Sequence, residues 1–214
     1  MIKHTIFLNA GHDNVNDPGA IYHTHIEAKM NIAIRDKLNE YLSKQFKVET
    51  VPDRLDLRES IIWVNERSSE LDDGLAVSVH FNAGGGEGAE TFYYDGGYEK
   101  SKIIAKTYID KYCSLTGYKN RGAKPDTSAR AGRLAWIRDT EPWAVLIECG
   151  FIDNEEDMKK FDATQIAYAN YEAICDIYGI DPLKPIKPEP VEIDASMINK
   201  EEMKKQIIEF VNKF

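Results

Sequence analysis

Two histidines and two glutamates lie in four short stretches whose order and surroundings point to a single metal site. AGHDNVNDPGA at 10–20 carries His12, Glu27 opens an amphipathic run, SVHFNA at 78–83 carries His80, and LIECGFIDN at 146–154 carries Glu148. Two imidazoles and one carboxylate form a three-point donor set suited to catalytic zinc, with a fourth position left for water. A spare carboxylate beside that water completes the parts for metal-assisted hydrolysis. Taken singly, most of these residues say little. A histidine at a strand end is commonly a hydrogen-bonding group, and a glutamate in a first helical turn is favoured by the helix dipole whatever its task. Glu148 differs, because WAVLIECGF reads as a strand buried on both faces. A lone carboxylate there is costly without a partner or a function. Cys149 follows it, but successive strand residues point to opposite faces, which disfavours a thiol in the same site.

The elements that must position these groups alternate between strand and helix. Residues 2–9 are short, β-branched and aromatic and end at Gly11, as a buried strand does. Residues 26–44 place Ile26, Met30, Ala33, Ile34, Leu38, Tyr41 and Leu42 on one helical stripe. Strands are predicted at 47–51, 75–81, 89–94 and 143–149, and helices at 57–71, 98–115 and 163–178. AGGGEG at 83–88 reads as a flexible loop, and 120–139 as a long polar segment with little clear period. The pattern predicts an α/β fold, three layers α/β/α around a largely parallel mixed sheet. In such a sheet ligands bind beyond the carboxyl ends of the strands, where His12, His80 and Glu148 all fall.

The chain has 214 residues, 43% hydrophobic and 29% charged, with a net charge of −9. That is enough for one full domain and a small appendage. The acidic balance argues against nucleic acid as a partner, since phosphate binding wants a basic footprint. No stretch is long and apolar enough to span a membrane. The first residues lack a secretory apolar run and cleavage site, so synthesis in the cytoplasm without a signal peptide is expected, with action on an outside target after release or lysis. Cys113, Cys149 and Cys175 are odd in number and lack CxxC spacing, so no disulfide framework is implied. Composition changes at Asp181: four of the chain's eight prolines fall in residues 182–190. The expected organisation is a catalytic domain at 1–180, a proline-rich extended linker at 181–192 and a C-terminal helical appendage at 193–214. In the appendage, Met203, Ile207, Phe210, Val211 and Phe214 form an apolar stripe on a helix too short to stand alone, so docking or self-association through it is expected.

The four stretches together resemble the amidase-3 family of zinc-dependent N-acetylmuramoyl-L-alanine amidases. Gly11-His12 is followed by Asp17-Pro18-Gly19-Ala20, then come Glu27, Ser78-Val79-His80-Phe81-Asn82-Ala83, and the run from Pro142 to Asn154. Arg54, Asp56, Arg58, Asn65 and Gly88-Ala89-Glu90 are weaker points of likeness over residues 3–178. The stretch 13–16 departs from the family's glycine-rich pattern, and His23 and His25 crowd the approach to Glu27 as further possible ligands. The resemblance implies one Zn²⁺ per chain on His12, Glu27 and His80, with Glu148 as catalytic acid/base. It further implies peptidoglycan as substrate, cut between N-acetylmuramic acid and L-alanine of the stem peptide. The expected lack of a signal peptide favours a phage-type lysin or an enzyme released by lysis, beside a sporulation or housekeeping hydrolase that leaves by another route. The basic segment 119–140 offers Arg130, Arg133 and Arg138 as grips for stem-peptide carboxylates, with Asn82 at the strand end as another substrate contact. A zinc peptidase or deacetylase could use the same three ligands, and a non-catalytic wall-binding module would have no need of Glu148.

Overall fold

The structure, a computed structural model, describes residues 4–12, 16–69, 73–96, 98–129 and 132–184. One compact unit runs Met1–Pro182; of the second, Leu183–Phe214, only Leu183 and Lys184 are among the described residues. The expected C-terminal helix and Arg130 lie outside the described residues.

Six strands form the central sheet: β1 (Thr5–Ala10), β4 (Lys47–Thr50), β5 (Gly74–Asn82), β6 (Ala89–Tyr93), β7 (Asn120–Pro125) and β8 (Trp143–Phe151). Their order is β4-β1-β5-β8-β6-β7. The pairs β1–β4, β1–β5, β5–β8 and β6–β7 are parallel, and β6 runs antiparallel to β8. The sheet is therefore mixed and largely parallel. A separate hairpin of β2 (Ile21–Tyr22) and β3 (His25–Ile26) leads into the first helix.

Alternation along the strands gives the two faces different covers. Ile6, Leu8, Val77, Val79, Val145 and Ile147 point to the larger core, closed by α1 (Glu27–Leu42), α3 (Glu99–Thr116) and α6 (Ala163–Tyr178). Phe7, Ala76, Ala144, Leu146 and Phe92 point to a smaller cluster under α2 (Leu57–Ser68) and the short α4 (Ala135–Asp139). Leu57 and Ser60 of α2 and Ala135 and Trp136 of α4 form one wall of a cleft at the carboxyl ends of the strands. On that face the residues that follow the apolar ones are Ser78 and His80 on β5, Glu148 on β8 and Glu90 on β6, so that end of the sheet is polar.

Two sequence expectations are corrected. The segment 120–139 holds β7, a 3₁₀ turn (Asp126–Ser128) and α4. β7 is an edge strand and needs no apolar alternation; its Arg121 and Lys124 are satisfied by Glu90 on β6. The glycine-rich stretch 83–88 is pinned. Asp153 accepts hydrogen bonds from Gly84 N and Gly85 N at 2.8 Å each, Asp157 accepts one from Gly88 N at 2.7 Å, and Asn154 Nδ2 donates to Gly86 O at 2.9 Å. Asn154 also caps α5 (Glu155–Met158), so the motif after Glu148 is a clamp on the loop that follows His80.

Candidate metal centre

His12, Glu27 and His80 are brought together, each from a different kind of support. His80 stands on β5 near its carboxyl end. His12 follows β1 in a left-handed conformation, φ 66°, which for a residue with a Cβ costs about 1–3 kcal/mol and tends to persist at functional sites. Glu27 is the first residue of α1 and only 3% exposed. No side chain caps that helix; its first amides bond to the preceding loop, Glu27 N to Ala20 O at 3.0 Å and Ala28 N to Pro18 O at 3.1 Å. The loop carrying Asp17-Pro18-Gly19-Ala20 is thereby tied to the helix that carries Glu27.

Glu27 Oε1 lies 3.2 Å from His12 Nε2 and 3.2 Å from His80 Nδ1. It also accepts from Phe81 N at 3.1 Å, while Oε2 accepts from Ala20 N at 2.9 Å. The remaining imidazole nitrogens are engaged: His12 Nδ1 with Asp17 Oδ2 at 2.7 Å, and His80 Nε2 with Ser78 Oγ at 3.0 Å. Such outer partners fix ring orientation and tautomer in metal sites. The ligand atoms of all three residues lie within 4.8 Å of one another, and they are the one such set of three or more among the described residues. His23 and His25 are not part of it. His23 sits in the β2–β3 turn and packs edge-on to Tyr22 at 4.2 Å.

Two glycines leave room for this packing. A Cβ on Gly11 would lie 2.1 Å from the His80 ring, and one on Gly19 2.6 Å from the His12 ring and 2.7 Å from Glu27 Oε2. The GH and DPGA stretches thus each place a glycine against a ligand.

The electrostatics fit mutual pairing. Burial works against a charged His12, but hydrogen bonding and charge from Glu27, then Asp17, outweigh it and raise its pKa to about 9. Burial likewise opposes a charged Glu27, yet its hydrogen bonds to His12 and His80 hold it far below the usual carboxylate range. Glu148 behaves oppositely: burial first, then the charges of Glu27 and Glu90, push its pKa well above the ordinary value against a smaller opposing effect of His12. Its Oε2 is enclosed without a hydrogen-bond partner among the described residues.

Register places Glu148 between His80 and Glu90. His80 pairs with Glu148 across β5–β8, and Glu90 pairs with Glu148 across β6–β8. The β5–β8 register shifts just beyond His80, one of the irregularities common beside active sites. Glu90 is 3% exposed and bonds to Arg121 Nε at 2.5 Å and to Lys124. Its other oxygen accepts from Asn82 Nδ2 at 2.9 Å. Cys149 points to the opposite, larger core and is fully buried.

The four residues line one cleft of about 760 Å³, which Asn82, Asp17, Ser78, Arg54 and Trp136 also line. Arg133 and Arg138 do not line it: Arg133 is exposed elsewhere, and Arg138 is turned to its neighbour Asp139 at 2.7 and 2.9 Å. The cation that does line the cleft is Arg54. Sequence reasoning assigned no role to Asp17, Ser78, Glu90 or Arg54. Asp17 and Ser78 stand inside the stretches that flagged the ligands, whereas nothing local ties Glu90 to Glu148.

The chain is similar to several known proteins. A family profile described as N-acetylmuramoyl-L-alanine amidase matches residues 6–177. The chain is 25% identical over 172 residues to the N-acetylmuramoyl-L-alanine amidase CwlM of Bacillus licheniformis, covering 77% of this chain and 62% of that protein. It is 28% identical over 186 residues to the endolysin of Bacillus phage SPP1, covering 82% of this chain and 66% of the endolysin. The chain thus spans about two thirds or less of these relatives, and only 35% of an uncharacterized cell wall amidase of Bacillus anthracis. Among solved structures, the N-acetylmuramoyl-L-alanine amidase of Clostridium difficile 630 superimposes with a TM-score of 0.72 at 26% identity, covering 84% of this chain and 98% of that one. The matched span runs from β1 to the end of α6 and contains His12, Glu27, His80 and Glu148, so the chain belongs to the amidase-3 family of N-acetylmuramoyl-L-alanine amidases.

Proposed function

We propose that this protein is a zinc-dependent amidase of bacterial peptidoglycan, cleaving the amide between the lactyl group of N-acetylmuramic acid and L-alanine of the stem peptide. The reading is carried by the meeting of His12 Nε2 and His80 Nδ1 on one oxygen of Glu27, 3.2 Å from each, in a cleft that also holds Glu148. The donor set, two nitrogens and a carboxylate oxygen with the outer nitrogens already bonded, suits zinc. A zinc ion held there would acidify a water and polarise the scissile carbonyl. Glu148 takes the proton of the attacking water on its carboxylate and delivers it to the L-alanine nitrogen as the C–N bond breaks. A carboxyl with raised proton affinity suits that second transfer. Asp17 and Ser78 hold the two imidazoles in the orientation that turns His12 Nε2 and His80 Nδ1 inward. Glu90, paired with Arg121 and Lys124, holds the Asn82 amide at the cleft wall.

Digestion of purified peptidoglycan, with mass spectrometry of the products, tests the reading. The expected products carry a free L-alanine α-amine and a free lactyl carboxylate, and a zinc chelator abolishes their release. Cleavage within the peptide, or loss of an acetyl group from the glycan, overturns it. We place the protein with phage-type lysins, so added from outside it should clear suspensions of susceptible cells; clearance only of isolated wall would remove that assignment.

A further inference from the structure

We propose that Arg54 recognises a carboxylate of the stem peptide and makes the cleft selective for stems whose second residue is acidic rather than amidated. The proposal rests on the amidase reading above. Arg54 lies in the turn between β4 and α2, lines the cleft that holds His80 and Glu148, and is exposed. Among the described residues it is the one arginine or lysine that lines that cleft, and it makes no hydrogen bond or ion pair.

The carboxylates nearest to it in sequence are already occupied. Asp53 is held by the guanidinium of Arg35, a side chain of α1 that is itself 5% exposed. Asp56 and Glu59 satisfy each other's backbone in a reciprocal cap at the start of α2. The backbone around Arg54 is fixed at the same time. Val51 N donates to Leu8 O at 2.8 Å, Leu55 N to Pro52 O at 3.3 Å, and Asp56 caps α2. An arginine left without a partner on a rigid turn at the rim of an anionic site is prepared for an external anion, because its planar fork matches a carboxylate.

Substrate chemistry says which anion. The lactyl carboxyl of muramic acid is consumed in the scissile amide, so the glycan next to the bond is neutral, whereas the stem peptide carries free carboxylates. Arg54 therefore marks the peptide side of the cleft. The nearest such group to the cut is the carboxylate of the acidic residue that follows L-alanine, and its amidation would remove the charge.

The test uses the full-length zinc-loaded enzyme and two disaccharide-tetrapeptides that differ only in whether that carboxyl is free or amidated. The wild type should cleave the acid form with a kcat/KM about tenfold to a hundredfold higher, the scale of one charge-assisted hydrogen bond. Most of the difference should lie in KM. Arg54→Gln should bring the acid-to-amide ratio to about one with zinc content and melting temperature unchanged, and Arg54→Lys should restore part of the preference. An acid-to-amide ratio in Arg54→Gln equal to that of the wild type overturns the assignment of Arg54. A wild type that cleaves the two substrates equally overturns the selectivity. Failure of the wild type to release L-alanine amine from both overturns the amidase reading itself, a separate outcome from the other two.

Discussion

At the scale of the residue, the two buried glutamates of the cleft are pushed in opposite directions. Glu27 is kept anionic by two imidazoles, while Glu148 is driven toward its neutral form by burial and by two neighbouring carboxylates. Glu148→Gln preserves shape and removes the proton acceptor. It should keep zinc and still bind peptidoglycan, with hydrolysis down by about two or more orders of magnitude; near-normal turnover would exclude the acid/base role. His12 makes metal loading depend on pH. In protein stripped by a chelator its pKa is raised to about 9, so it is protonated at neutral pH, and zinc must displace that proton. Zinc affinity should therefore rise about tenfold per pH unit from pH 7 to 8.5 and level off near 9. Asp17→Asn removes one of the groups that raise the pKa, so its plateau should begin at lower pH. Titration with a chromophoric competitor measures both, and a flat wild-type profile would contradict the His12–Glu27–Asp17 arrangement.

At the scale of the element, the placing of His80 depends on a contact that its own strand does not supply. The ring of His80 lies over Gly11, whose amide donates to Val79 O at 2.9 Å, and Asn31 Nδ2 on α1 donates to Gly11 O at 3.0 Å. The backbone at Gly11 is thus held from both sides and cannot retreat. Gly11→Ala should displace the His80 imidazole and lose zinc while the circular dichroism of the fold is retained. Full zinc occupancy in that variant would show that the contact is not needed.

At the scale of the whole molecule, the catalytic unit is expected to stand without the C-terminal tail. The compact unit ends at Pro182, two residues beyond the boundary expected from the prolines, and the extra residues have a local reason. Asp181 O accepts a hydrogen bond from Gln45 Nε2 at 3.1 Å. A chain cut after Pro182 should remain folded, bind zinc and cleave soluble muropeptides, with any change confined to activity on whole cells or to apparent mass in solution. Insolubility or loss of zinc in the shortened chain would make the tail part of the catalytic fold. Among the described residues no helix is long and apolar enough to cross a membrane.

Much of this was legible in the order of residues alone. The alternation of buried strands with amphipathic helices, with α6 at the span expected, arises from local hydrophobic period, which burial on one face imposes on neighbouring residues. The four stretches around His12, Glu27, His80 and Glu148 were equally local, each a short run ending a strand or opening a helix. What only the tertiary structure decided were relations between distant residues: Glu90 beside Glu148, Asp17 behind His12, the glycine loop clamped by Asp153, Asn154 and Asp157, and Arg54 at the cleft where Arg133 and Arg138 are not. The segment 120–139 escaped for the same reason. Its strand lies at a sheet edge with its cations spent on Glu90, a partner 31 and 34 residues away, and such a contact leaves no period in the local sequence.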